Sequence, residues 1–211
     1  MDPNHCSDEA AESGDGKWPL RDFSTLFNRA AHELSPSTDV PMNSWMQIST
    51  RKVAIKGICG KILFAKPAIS VLDSRAFFIT PNIPDYFPED AIFNVTTYKD
   101  TLTHVGVSVT FNVNINNSSY MVFSNERNGL LRLKPGDIPT SIPKSPSELV
   151  FFQNQFSEHG LDFKFESSLF PGSYWSLKDE DDTSASDLYL NVYSCPANVP
   201  ETCKIKYIDL K

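Results

Sequence analysis

No stretch of this sequence approaches the roughly 18 consecutive apolar residues that a helix needs to cross a bilayer. Membrane insertion is therefore not expected. Cysteine and histidine are scarce, with four of each in 211 residues. Cys6, Cys59, Cys195 and Cys203 are too few and too irregular for a disulfide framework in a chain of this size. Free thiols are their expected state in the cytosol, although Cys195 and Cys203 flank a short Pro-containing turn and could pair in an oxidising space. His5, His32, His104 and His159 have no His or Cys partner at zinc-ligand spacing, so no metal site is expected. Also missing are a G-x-S-x-G elbow, an HExxH helix, a P-loop and a G-x-G-x-x-G turn. Glycine is sparse, and Gly57 and Gly60 lack the following helix that a phosphate cradle requires. Nothing here argues for an enzyme or a cofactor. Positive charge is short as well: the formal net charge is −7, the wrong sign for a nucleic-acid partner.

The acidic excess is concentrated at one end. Residues 1–39 hold eight acidic groups (Asp2, Asp8, Glu9, Glu12, Asp15, Asp22, Glu33, Asp39) and three basic ones (Lys17, Arg21, Arg29), a balance of −5. The other 172 residues, with 18 acidic and 16 basic groups, carry −2. The start, MDPNHCSDEAAESGDG, is polar where a signal peptide needs a basic then apolar run. Synthesis in the cytosol without an anchor is the expectation. Asn94, Asn116 and Asn117 open glycosylation sequons that have no use there. The run Asp179–Asp182 lacks the spaced pattern of a calcium loop and reads as a solvated turn.

Residues 1–17 have the composition of a disordered tail. Phe23, Leu26, Phe27, Ala30 and Ala31 then follow helical spacing behind the capping residue Asp22, which predicts a short amphipathic helix over 22–32. Such a helix is marginal alone. Residues 35–44, with Pro36 and Pro41, read as an exposed linker.

From about Lys52 the pattern changes to short runs of β-branched and aromatic residues bounded by turn formers. Twelve can be counted, over 52–58, 61–65, 76–80, 91–99, 104–113, 119–124, 129–134, 149–156, 161–167, 173–178, 186–194 and 203–210. Val105, Val107, Val109, Phe111 and Val113 alternate to one side, as do Ile205 and Tyr207. An all-β architecture follows, although count and spacing alone leave barrel, sandwich and trefoil open. A neutral β body with loops on a rigid scaffold suits a binding protein.

Three stretches then carry a resemblance. They are Ile55-Lys56-Gly57-Ile58-Cys59-Gly60-Lys61-Ile62-Leu63-Phe64, Ala91 through Asp100 ending in Tyr-Lys-Asp, and Glu148-Leu149-Val150-Phe151-Phe152-Gln153 leading to Phe165-Glu166-Ser167-Ser168. The last continues through Pro171, Gly172 and Tyr174 and resembles the interleukin-1 family signature F-x-S-x-x-x-P-x-x-[FY]. Trp175 and Leu177 replace the usual aliphatic residue and Thr of that signature. The resemblance covers roughly residues 53–195.

It implies a β-trefoil of about twelve strands over 40–211, behind a pro-segment over 1–39. It also implies a leaderless cytosolic precursor, cut after an aspartate by caspase-1 and released by a non-classical route. The mature form would be a secreted monomeric cytokine that drives inflammatory signalling. Its partners would be a two-chain receptor with immunoglobulin-like ectodomains and a soluble binding protein. The expected cut lies between Asp39 and Val40, in the linker. Asp73 would cut the trefoil itself. The pro-segment helix would cover a receptor surface until cleavage. By the same resemblance Lys56, Lys99 and Asp100 are receptor contacts, while Gly60 stands where the family carries an acidic contact. A receptor antagonist shares these features. A trefoil lectin or protease inhibitor would be expected to show Q-x-W repeats or a leader, and neither is present.

Overall fold

The computed structural model describes residues 44–80, 86–99, 107–143, 146–157, 160–177, 185–194 and 198–210. All of them belong to the compact unit Val40–Lys211. The expected helix over 22–32, the cut at Asp39–Val40, Asp100, Cys195 and the acidic run at 179–182 lie outside the described residues.

Thirteen strands occur among the described residues: β1 (Ser44–Lys56), β2 (Ile62–Lys66), β3 (Arg75–Ile79), β4 (Phe93–Lys99), β5 (Val107–Ile115), β6 (Ser118–Phe123), β7 (Arg132–Pro135), β8 (Ser141–Pro143), β9 (Phe151–Gln155), β10 (Asp162–Ser167), β11 (Ser173–Leu177), β12 (Ala185–Val192) and β13 (Ile205–Asp209). Six of them close a ring of antiparallel pairings, β1–β4–β5–β9–β10–β13 and back to β1. Closure removes the exposed edges that an open sheet would present. Three hairpins, β2–β3, β6–β7 and β11–β12, extend from β1, β5 and β10. They meet one another through the β3–β12 and β3–β7 pairings and the Leu130–Tyr189 bridge. A closed six-stranded barrel capped by a hairpin triplet is a β-trefoil.

The barrel is filled by large rings, which suits a sequence rich in Phe. Trp175 is fully buried, 4.5 Å from the Phe111 ring, 5.0 Å from Phe165 and 5.1 Å from Phe151. β11 thus delivers its indole onto rings from three barrel strands. Val53, Ile55, Phe93 and Ile205 complete the wall.

Two expectations are corrected. The first strand begins at Ser44, the last residue read as linker, and not at Lys52. Residues 46–52 are exposed on both faces, so burial leaves no mark on their sequence, and β4 and β8 hold them by backbone pairing. The thirteenth strand, β8, was missed because it is three residues long and ends in Pro143.

β5 also differs from simple alternation. Val109, Phe111 and Val113 point into the barrel, yet Ser108, Thr110 and Asn112 are buried on the other side, and Val107 is exposed. The outer polar residues are satisfied laterally: Asn94 Nδ2 donates to Asn112 Oδ1 at 2.6 Å, and the Thr50 and Thr96 hydroxyls lie 2.8 Å apart. Asn94 is therefore a buried structural amide. Asn116 and Asn117 both have positive φ, 51° and 61°, and form the two-residue turn between β5 and β6, the conformation that matches strand twist.

Candidate functional site

Lys56 ends β1 beside the 3-10 turn Ile58–Gly60. Strand register places it directly opposite Lys206 of β13, and Lys206 in turn opposite Asp162 of β10. Residues directly opposite share one face of the sheet, with Cβ atoms about 4.5–5.5 Å apart. Among the described residues neither Lys56 nor Lys206 has an ion-pair partner. Lys204 does: its Nζ lies 3.6 Å from Asp162 and 3.3 Å from Glu201. The hydrogen bond that Lys204 donates to Glu201 leads the influences that raise the Lys204 pKa. These side chains, with Gly60, line a surface cleft of about 500 Å³. Gly60 has φ +77°, a conformation that favours glycine, and a Cβ there would meet only Lys56 Cε at 3.9 Å. The cleft floor is open to close approach.

Lys99 occupies the other end of the barrel wall. It closes β4 opposite Met46 of β1 and is exposed. Met46, Ile48 and Val107 are 49%, 60% and 45% exposed, large apolar side chains left partly uncovered in this region. Uncovered apolar side chains with a charged residue at their edge fit the apolar centre and polar rim of a protein interface. Lys56 and Lys99 are thus not brought together; they mark two separate surfaces.

Among the described residues no catalytic constellation competes with these surfaces. Cys203 is a free, fully buried thiol whose pKa is raised, first by burial. That is the opposite of what a nucleophilic cysteine needs. Among the described residues no group of three His, Cys, Asp or Glu could hold a metal ion. Nor does any helix there have the length and apolarity to cross a membrane. Cys59, read as lying in a strand pair, falls instead in the 3-10 turn.

Lys206 is the residue that sequence reasoning missed. Its position in K-I-K-Y-I-D alternates with buried Ile205, which signals an outward side chain, but only the register reveals Lys56 as its neighbour.

The interleukin-1/18 family model matches residues 82–192, just over half of the chain. The chain belongs to the interleukin-1/18 family. Interleukin-18 from Boselaphus tragocamelus is 33% identical over 99 residues, covering 47% of this chain, and the alignment spans only about half (49%) of that relative's length. Interleukin-18 from Capra hircus is 26% identical over 159 residues, which is 74% of this chain and 78% of the relative. Among solved structures, chicken interleukin-1 beta superposes with a TM-score of 0.55 at 14% identity, over 77% of this chain and 98% of that one. At that identity the likeness speaks for the fold alone, and the fold is the β-trefoil. Members of the family are cytokines, signalling proteins and not enzymes.

The interleukin-1 family signature has a structural explanation in this chain. Phe165 enters the aromatic core. Glu166 accepts hydrogen bonds from Gly172 N–H at 2.7 Å and from the Tyr174 hydroxyl at 3.2 Å. Ser167 Oγ accepts from Phe170 N–H at 3.2 Å. Together these groups shape the β10–β11 connection, which places Trp175 in the barrel. The residues of this stretch therefore build the core and the β10–β11 connection.

Proposed function

We propose that the chain is a pro-inflammatory cytokine of the interleukin-18 type, made as a precursor and activated by caspase-1 cleavage between Asp39 and Val40. The mature form binds a two-chain receptor with immunoglobulin-like ectodomains and drives interferon-gamma-type signalling. Lys56 and Lys99 are its receptor contacts, with Asp100 following Lys99. The observation that carries this reading is the pair of surfaces at the two ends of β1, on a fold whose described residues offer no catalytic alternative.

The position of the cut is supported by the start of β1. Asp39 precedes Ser44, the first strand residue, by five positions, so a cut there severs no described strand pairing. Asp73 is a poor competitor. Its N–H donates to Ser70 O at 3.1 Å within a closed turn, and the buried Ser74 hydroxyl accepts from Ala68 N–H at 2.8 Å. A protease that needs an extended chain cannot engage such a turn without opening it.

The mature cytokine leaves the cell by a non-classical route, its precursor remaining cytosolic. A soluble binding protein competing for the same surface is a further partner. The test is to incubate the full chain with caspase-1, sequence the new N-terminus and apply the product to reporter cells carrying both receptor chains. A new terminus at Val40 together with a reporter signal supports the reading. An intact Asp39–Val40 bond removes the cleavage site, and binding without signal would make the chain an antagonist.

A further inference from the structure

Lys56 and Lys206 face each other across the β1–β13 pair with no carboxylate between them. Like charges directly opposite on neighbouring strands repel. Native sheets more often place an opposite charge or a neutral residue at such a position. Here an acid is near at hand, because Asp162 stands opposite Lys206 on its other side. Its carboxylate is nevertheless drawn to Lys204, 3.6 Å away, which Glu201 also holds at 3.3 Å. The local arrangement satisfies Lys204 twice and leaves Lys56 and Lys206 unneutralised.

The charge count narrows what can cover this surface. Lys56, Lys204 and Lys206 give three positive charges, and Asp162 and Glu201 give two negative ones, so the cleft carries an excess of one positive charge. A sulfated or phosphorylated polymer would meet two carboxylates along with the lysines and gain little. An apolar protein surface would strip water from two like-charged ammonium groups and strengthen their repulsion. One carboxylate inserted between Lys56 and Lys206 balances the cleft and accepts a charge-assisted hydrogen bond from each. Gly60, whose missing side chain leaves the adjacent floor open, lets the partner's backbone come close enough to deliver it.

We infer that Lys206 is a second receptor-binding determinant beside Lys56, and that the two lysines together clamp a single Asp or Glu side chain of the partner. This inference rests on the receptor reading above. It adds a residue from β13 to that site and the chemistry of the group it takes.

The test uses the full chain, with and without caspase-1 treatment, flowed over the immobilised receptor ectodomains. Wild type, K206E, K206A and K56A are compared at two salt concentrations. K206E should weaken binding at least tenfold and K206A about threefold to tenfold, with a flatter salt dependence for both, since a clamped charge steers association. The double variant K56A/K206A should lose less than the product of the two single losses, because the lysines share one partner group. K206A should melt within about a degree or two of wild type, since it removes both the repulsion from Lys56 and the attraction to Asp162 on either side of position 206. Weaker binding by a variant of unchanged stability is therefore a loss of contact. Wild-type binding with K206E equally tight overturns the clamp and leaves the receptor reading standing. Absence of wild-type binding in both preparations overturns the receptor reading and the clamp with it.

Discussion

Lys99 lies opposite Met46, and Lys56 closes the same strand ten residues later. At about 3.3 Å per residue the two lysines are roughly 30 Å apart along β1. That distance makes β1 a spacer between two surfaces. Residues separated in this way, with no shared partner, contribute independently. The losses of receptor affinity in K56E and K99E should therefore add in free energy, to within about 0.5 kcal/mol. Equilibrium binding of the two single variants and the double variant measures this, and strong non-additivity would place both lysines in one contact.

Trp175 Nε1 is buried with no hydrogen-bond partner in the middle of the aromatic core. An orphaned donor costs on the order of 1–3 kcal/mol. Replacing Trp175 with Phe removes that donor while keeping a ring against Phe111, Phe151 and Phe165. The gain offsets much of the lost contact, so W175F should change stability by about 1 kcal/mol or less. W175A should cost about 3–5 kcal/mol. Urea denaturation followed by far-UV circular dichroism separates the two. A large loss in W175F would mean that ring volume outweighs the orphaned N–H.

Glu166 holds the β10–β11 connection from two sides, through Gly172 N–H and the Tyr174 hydroxyl. E166A leaves both donors in a partly buried site and should destabilise the chain by about 1–3 kcal/mol. Its effect on receptor affinity should be small once folding is complete, because Glu166 bonds only within the β10–β11 connection. A chain of wild-type stability carrying E166A would contradict this assignment.

Several groups make the fold sensitive to base, among them Tyr174, Tyr207, Cys203 and the buried Tyr98. Burial raises the pKa of Tyr207 and of Cys203, and burial together with Glu166 raises that of Tyr174. Each is neutral when protonated, so the folded state holds its proton to higher pH than the unfolded chain does. Their contribution is complete below the unfolded pKa values, about 8.5 for a thiol and about 10 for a phenol. It is lost as pH rises beyond them towards the folded values. Stability should therefore fall progressively above about pH 9. Denaturant titrations across the alkaline range test this, and a flat profile to pH 11 would contradict it.

The parts of the fold legible in the sequence are those where one face is buried and the other wet. Ile205 and Tyr207 in β13 and the Val109–Phe111–Val113 series in β5 were readable as core positions. The first half of β1 was not, because its side chains are exposed and its place depends on the backbones of β4 and β8. Closure of the barrel was equally hidden, since it depends on pairings such as Val53–Asp209 between the two ends of the described chain. The candidate site shows the same division. Lys56 and Lys99 were visible through resemblance to the family, whereas Lys206 became a site residue only when the β1–β13 register set it beside Lys56. Charge composition pointed to a near-neutral body, which the locally unbalanced lysine pair obeys in sum and breaks in detail.

Under the proposed function this β-trefoil is a receptor-binding cytokine that becomes active when its acidic N-terminal segment is removed. The most direct test is binding of the full chain to interleukin-18-type receptor ectodomains, before and after caspase-1 treatment, in one titration. Binding should be weak or absent before cleavage and tight and salt-sensitive after it. Equal binding in the two states would contradict masking by the N-terminal segment, and no binding in either would contradict the receptor reading itself.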